Sequence, residues 1–293
     1  MGSAVQTAGR YEKRKWVRGS VPGSGPAAGQ ARDRALKDQL TRLRLEHDGL
    51  SRALYEAAQV QRRLCGPRHQ RAGSYEFASE IFPVRHLSGD FITVLELESD
   101  LVFAIGDIAG KGLMAAMWFT YVVGMIRRHI TALGDPAAAL SAVDRDLQLA
   151  GLEIPLTTVF LARLNLPSGQ LTYSNAGHPP ALLIQANQGV EELSVGGPLL
   201  GAISQGSFAN GLARLRPGDT LVAYSDGIAE CRNESGTEFG TEGLLNSARS
   251  FPRSDAGTVL FSVLAAVENF VGKQHREDDI ALFVLRRCGG QIE

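Results

Sequence analysis

Residues 103–112 read FAIGDIAGKG: an apolar run, one carboxylate, then two glycines around a lysine. The apolar run reads as the end of a buried strand and the glycines as a turn. Asp107, at the junction, is either an ordinary turn-former or a charge placed at the rim of a sheet for chemistry. Other carboxylates in the same kind of position decide between the two. Asp90 precedes FITVLEL, Asp226 ends TLVAYS and is followed by Gly227, and Asp278 and Asp279 open IALFVL. Each alone is weak, because Asp and Gly are common at strand ends. Together, beside strands that must lie in the core, they are hard to explain as turns. Clustered aspartates repel one another unless cations neutralise them. Oxygen donors without nearby histidine or cysteine favour Mg²⁺ or Mn²⁺ over zinc. Two such ions can share a carboxylate, activate a bridging water and grip phosphate oxygens.

Outward from this stretch the periodicity changes several times. Residues 1–31 are rich in glycine, alanine and serine and read as a flexible tail with a small EKRKWVR patch. Leu36, Leu40, Leu43, His47, Leu50, Leu54, Ala57, Gln61 and Leu64 then alternate spacings of four and three, a heptad seam interrupted at His47 and Gln61. This helical linker, residues 32–66, is either a coiled coil joining two chains over residues 36–64 or one amphipathic helix laid on its own core. The CGP at Cys65–Pro67 ends it. From Tyr75, YEFASEIF, FITVLELE and LVFAIGD read as strands. Helices follow from Leu113 to about Ile130 and, capped by Asp135 and Pro136, to about Ala150. TTVFLARLNLPSGQLTYSNAG is two strands around a turn. Short strands run on through 182–193, 208–215 and DTLVAYSDG, then helices over 239–249 and 255–270, and DDIALFVLRR closes the domain at Arg287. Residues 288–293 are a short tail.

Strands in hairpin-like pairs, with helices arriving in pairs between them, do not fit the regular alternation of a doubly wound sheet. They predict an α+β fold in which two largely antiparallel sheets pack together with helices on their outer faces. The composition, with 44% hydrophobic residues and 30 basic against 31 acidic side chains, gives no general argument for binding nucleic acid or membranes. LMAAMWFTYVVGMI is too short for a membrane span and reads as a buried helix. Three cysteines without paired spacing and no apolar segment near the amino terminus lead us to expect a cytoplasmic protein.

The chain resembles the bacterial PP2C-class (PPM) serine/threonine phosphatases of the SpoIIE and Rsb type. The resemblance rests on SGDF (88–91), GDIAGKG (106–112), TTVFLARLN (157–165), YSNAGHPPALL (173–183), YSDGIAE (224–230) and DDIALFVL (278–285), with AAQVQRRL (57–64) like the family's linker helix. It implies the PP2C-like α-β-β-α sandwich over residues 75–287 and two Mn²⁺ or Mg²⁺ ions. Asp107 would bridge them, the Ile108 carbonyl would complete one ligand set, Asp226 and Asp278 would hold the second ion, and Asp90 would bind directly or through water. Water would attack phosphoserine or phosphothreonine in line, with no phosphoenzyme, the substrate being a small STAS-type anti-sigma-factor antagonist. Asp279 would either support a metal ligand from behind or simply start the strand. Gly110 and Gly227 let the turns pass close to the ions. Lys111 either attracts phosphate or is a solvated helix-start lysine, the plainer reading. His178, in a turn where Asn175, Gly177 and two prolines have structural work, fits structural support better than a general acid and could help to position the site loops.

Three positions depart from the family pattern. Ser88 and Thr93 stand where GGDFYD is common, and Thr93 cannot serve as a charged ligand. Ala281 replaces a common threonine. No principal ligand is lost. The competing readings are a catalytically weak or inactive phosphatase-like regulator that binds a STAS-type or anti-sigma partner, and a two-metal hydrolase of nucleotides or sugar phosphates. Against the latter, GDIAGKG lacks the Ser or Thr that follows Gly-Lys in a phosphate loop.

Overall fold

The computed structural model describes residues 26–151, 154–203, 206–252, 254–274 and 276–289. The amino-terminal tail up to residue 25 and residues 290–293 of the closing tail lie outside them. The chain divides into two units, Met1–Arg52 and Ala53–Glu293. Helix α1, Pro26–Cys65, contributes to both and includes residues 26–31, which the sequence reading gives to the tail. In the first unit its leucines Leu36, Leu40, Leu43 and Leu50 are exposed. In the second, Ala58 is buried and Leu64 packs against the core.

The second unit is built on two sheets. One follows the order β1 (His69–Ala72), β2 (Tyr75–Phe82), β12 (Ile280–Arg287), β11 (Thr220–Tyr224), β7 (Ala181–Ile184) and β8 (Val190–Leu193). The other runs β10 (Gly211–Arg214), β6 (Gln170–Ala176), β5 (Thr157–Asn165), β4 (Asp100–Ile108) and β3 (Phe91–Leu97), with β9 (Gly196–Gly197) joining β6 in parallel. Every other pairing is antiparallel. Helices α2 (Leu113–Leu133) and α3 (Pro136–Leu149) cover the β3–β6 sheet, and α5 (Gly240–Arg249) and α6 (Ala256–Val271) cover the other. This is the expected α-β-β-α sandwich. Strands β4, β5 and β12 are buried almost end to end because each has a sheet on one face and helices on the other. Among the described residues no helix is long and apolar enough to cross a membrane.

Between the sheets an aromatic ladder locks the layers. Phe103 of β4 stacks on Phe283 of β12 at 4.6 Å between ring centroids, and Phe77 lies 5.7 Å from Phe283 on the other side. Phe160 and Tyr173 extend the ladder along the second sheet, 5.5 Å apart. Two of the helices are capped as their sequences direct: at α3 Asp135 accepts from the Ala138 amide at 2.8 Å, and at α6 Asp255 does the same for Thr258 at 2.8 Å. The short strands β1 and β9, and the single turn α4 (Asp226–Ala229), are not anticipated by the sequence pattern.

Phe103 touches both sheets and has no solvent path, so a cavity there cannot collapse easily. Phe103→Ala should destabilise the second unit by about 3–5 kcal/mol, read as a fall in the urea midpoint with an unchanged denaturant slope.

Candidate active site

The sandwich brings four chain segments to one end. Strand β4 is an interior strand between β5 and β3, and its last two residues are Asp107 and the wholly buried Ile108. Asp107 is paired in register with Thr158 of β5, whose hydroxyl accepts the Asp107 amide at 3.3 Å. The strand stops because Gly110 and Gly112 take φ of 115° and 80°, closed to most side chains, and α2 starts at Leu113. In the facing sheet, β11 ends at Tyr224 and Ser225 leads directly into α4, whose first residue is Asp226. Ser225 and Ala281 exchange two hydrogen bonds, Ser225 amide to Ala281 carbonyl at 3.0 Å and Ala281 amide to Ser225 Oγ at 2.9 Å. They hold Asp226 beside the start of β12, where Asp278 and Asp279 lie. A Cβ on Gly227 would stand 2.0 Å from the Asp279 carbonyl oxygen, so only glycine allows that approach.

Asp90 enters from the loop before β3 and is 2% exposed. Its Oδ2 is buried and has no hydrogen-bond partner among the described residues. Burial, and after it the Asp107 carboxylate, push its pKa well above the ordinary range, with Asp279 and Asp226 adding to the effect. Burial with the charges of Asp226, Asp278 and Asp279 raises Asp107 to about 6. Asp226 is raised too, first by burial and then by Asp278. Carboxylates that raise one another in this way lie within short electrostatic range. Among the described residues, however, no three histidine, cysteine or acidic side chains close into a metal cage. The donor set still fits hard divalent ions: oxygen ligands only, one of them a buried oxygen without a partner, and excess negative charge.

The neighbouring residues divide the remaining work. Asp279 does not share the role of Asp278: its carboxylate accepts the Val84 amide at 2.7 Å, the Ser88 hydroxyl at 2.8 Å and the Gly89 amide at 3.0 Å. It organises the loop that delivers Asp90. Ser88 earns its place in this loop, since its Oγ also accepts the Asp90 amide at 3.0 Å. Gln61 of α1 grips the same residue at two points, donating to the Ser88 carbonyl at 2.7 Å and accepting its amide at 3.2 Å. The break in the heptad at Gln61 was the only sequence sign of this contact. Gly89 lies so close to the Asp107 turn that a Cβ would stand 2.8 Å from the Ile108 carbonyl oxygen.

Lys111 is exposed at the rim of the site and paired there. Its ammonium meets Asp278 Oδ1 at 2.8 Å and the Glu277 carbonyl at 2.9 Å. Thr93 is buried, and Arg127 donates to its hydroxyl at 3.3 Å and to the Leu64 carbonyl at 3.2 Å. Its side chain is thus engaged in packing α1 and α2. His178 is buried, with Nδ1 2.8 Å from Thr158 Oγ1, and burial pushes its pKa down to about 3. Burial thus disfavours a charged imidazole at this position. Thr158, His178, Asp107, Asp226 and Glu230 line an open depression at this end of the sandwich.

In the metal-free protein Asp107 binds its proton more tightly folded than unfolded. Its contribution to stability is therefore greatest at acid pH and is lost as pH rises from about 4 through about 6. Asp107→Asn removes that penalty. Its melting temperature in EDTA should exceed wild type at neutral pH, and calorimetry should show the gain shrinking as pH falls toward 4; a gain independent of pH would contradict this.

The sequence profile described as "Stage II sporulation protein E (SpoIIE)" matches residues 98–288. The "Phosphoserine phosphatase RsbU" of Bacillus subtilis (strain 168) is 26% identical over 243 residues, covering 79% of this chain and 69% of that protein. Among solved structures, the SiaA-PP2C domain of Pseudomonas aeruginosa superposes with a TM-score of 0.71 at 21% identity, covering 82% of this chain and 98% of that one. The PP2C phosphatase domain of SpoIIE from Bacillus subtilis, with a fragment of its regulatory domain, gives 0.63 at 19% identity, covering 75% and 64%. The chain belongs to the SpoIIE family of PP2C-class serine/threonine phosphatases.

Proposed function

We propose that the chain hydrolyses phosphoserine or phosphothreonine on a small phosphorylated regulatory protein of the STAS, anti-sigma-factor-antagonist type, using two Mn²⁺ or Mg²⁺ ions. The observation that carries the reading is the convergence of carboxylates at one end of the sandwich: burial and neighbouring carboxylates, Asp278 among them, raise the proton affinity of Asp107 and Asp226, and burial with Asp107 raises that of Asp90. Asp107 would be shared by both ions, the Ile108 carbonyl would serve one of them, Asp226 and Asp278 the second, and the Asp90 oxygen without a partner would bind directly or through water. When bound, the ions supply activation of water and neutralisation of phosphoryl charge. The chain's own residues do the rest. Asp279, Ser88 and Gln61 fix the loop that presents Asp90, and the Ser225–Ala281 pair fixes Asp226. Lys111, on Asp278, holds one carboxylate in a defined place from the rim.

The substrate class draws its support from the name of the RsbU relative, a phosphoserine phosphatase, and from the motif resemblance to Rsb-type proteins. Activity on a phosphoserine STAS-type protein should vanish in EDTA and return with excess Mn²⁺. Asp226→Asn, which removes a charge while nearly keeping shape, should lower kcat by about a hundredfold or more. Full turnover after verified removal of divalent metal would refute the mechanism, and binding without phosphate release would favour the inactive-regulator reading.

A second copy of the chain is the other proposed partner, through residues 36–64. The exposed Leu36, Leu40, Leu43 and Leu50 support it, as does the interruption of the seam at Gln61, where the helix turns to its own domain. Leu40→Glu with Leu54→Glu places charge in the seam. Light scattering over a concentration series should show a wild-type dimer and a folded monomeric double variant; a wild-type chain that is monomeric at high micromolar concentration would reject the pairing.

A further inference from the structure

We infer that Thr158 and His178 are a positioning pair that sets Asp107 in one sheet against Asp226 in the other. The route of the chain motivates this. Strand β6 belongs to the β3–β6 sheet and β7 to the facing sheet, so Gly177–Pro180 is where the backbone crosses between layers. His178 is fixed at that crossing by Asn175, whose Oδ1 accepts the His178 amide at 2.8 Å and whose Nδ2 donates to the His178 carbonyl at 2.9 Å. The two prolines that follow remove further freedom.

The ring is then held by a directional relay. The Thr158 hydroxyl oxygen accepts the Asp107 amide, so its single proton is free to go to His178 Nδ1, 2.8 Å away. That assignment makes Nδ1 an acceptor and puts the ring proton on Nε2. Nε2 is buried and outside hydrogen-bond geometry with any described residue, and the backbone group acting on the ring is Tyr224, two residues before Asp226. The imidazole therefore fills the space between the turn that bears Asp107 and the strand end that bears Asp226. Thr158 lies in the wall of the depression that both aspartates share. A valine at 158 would keep the shape and lose both hydrogen bonds.

The kinetic part of the test rests on the phosphatase reading, whereas the other readouts do not. Nitrogen-15 spectra of the full chain should show His178 neutral with the proton on Nε2 across about pH 5.5–8; a proton on Nδ1, or a charged ring near neutral pH, would overturn the relay. Thr158→Val should speed hydrogen exchange at the Asp107 amide and weaken Mn²⁺ binding by about 10- to 100-fold in calorimetry, with kcat falling and KM nearly unchanged. Thr158→Ser, which restores the hydroxyl, should recover all three. A folded Thr158→Val protein with wild-type exchange and Mn²⁺ affinity would refute the pair. If the wild type takes up Mn²⁺ but releases no phosphate, the phosphatase reading fails while the spectra, exchange and calorimetry still judge the pair.

Discussion

Drawing Asp90, Asp107 and Asp226 wholly or partly out of water, and toward one another and the exposed Asp278, is unfavourable twice over, by desolvation and by like-charge repulsion. The rest of this molecule can be understood as what holds them there regardless. Asp107 and Asp226 sit on opposite sheets, so their separation is set by how the sheets stack, and the stacking is set by Phe77, Phe103, Phe160 and Phe283. Each such buried ring contributes about 1.5–3 kcal/mol of transfer free energy. A ladder of them outweighs the repulsion of a few half-buried charges. The price is visible in the raised proton affinities and in the capture of Asp278 by Lys111.

The charged side chains are few, and uncharged contacts aim most of them. Asp226 depends on a serine and an alanine backbone exchanging hydrogen bonds, and Asp90 on a serine hydroxyl and a glutamine. Asp279 is the exception: it is a carboxylate, yet it spends its lone pairs on the loop of residues 84–89. Adjacent residues of identical chemistry thus take opposite tasks, because successive positions at a strand start point to different sides.

Strand-end aspartates, hairpin turns and helix caps were legible because each is a local pattern, and the sandwich followed from their order. Less was legible where partners are distant in sequence. His69–Ala72 carries no apolar alternation and is a strand only because β2 offers it an edge. The turn expected after Asp226 is one helical turn, since Gly227 lets it press on the Asp279 backbone. Lys111 reads as a solvated lysine and is exposed, but its partner Asp278, 167 positions further on in the chain, is set before it only by the fold. The departures from the family pattern were visible as letters, but their meaning was not: Ser88 proved a node of the Asp90 loop, whereas Thr93 faces Arg127.

The grip of Gln61 on Ser88 bears on where the catalytic body begins. Strand β2 starts at Tyr75, yet Ala58 is buried, Leu64 packs on the α2–α3 layer and Gln61 braces the loop two residues before Asp90. A fragment cut at Tyr75 would keep every proposed ligand and lose the outer wall of one of them. A piece with its site intact starts inside α1, because the part of that helix from Ala53 onward belongs to the same unit as the site and forms its outer edge at Asp90.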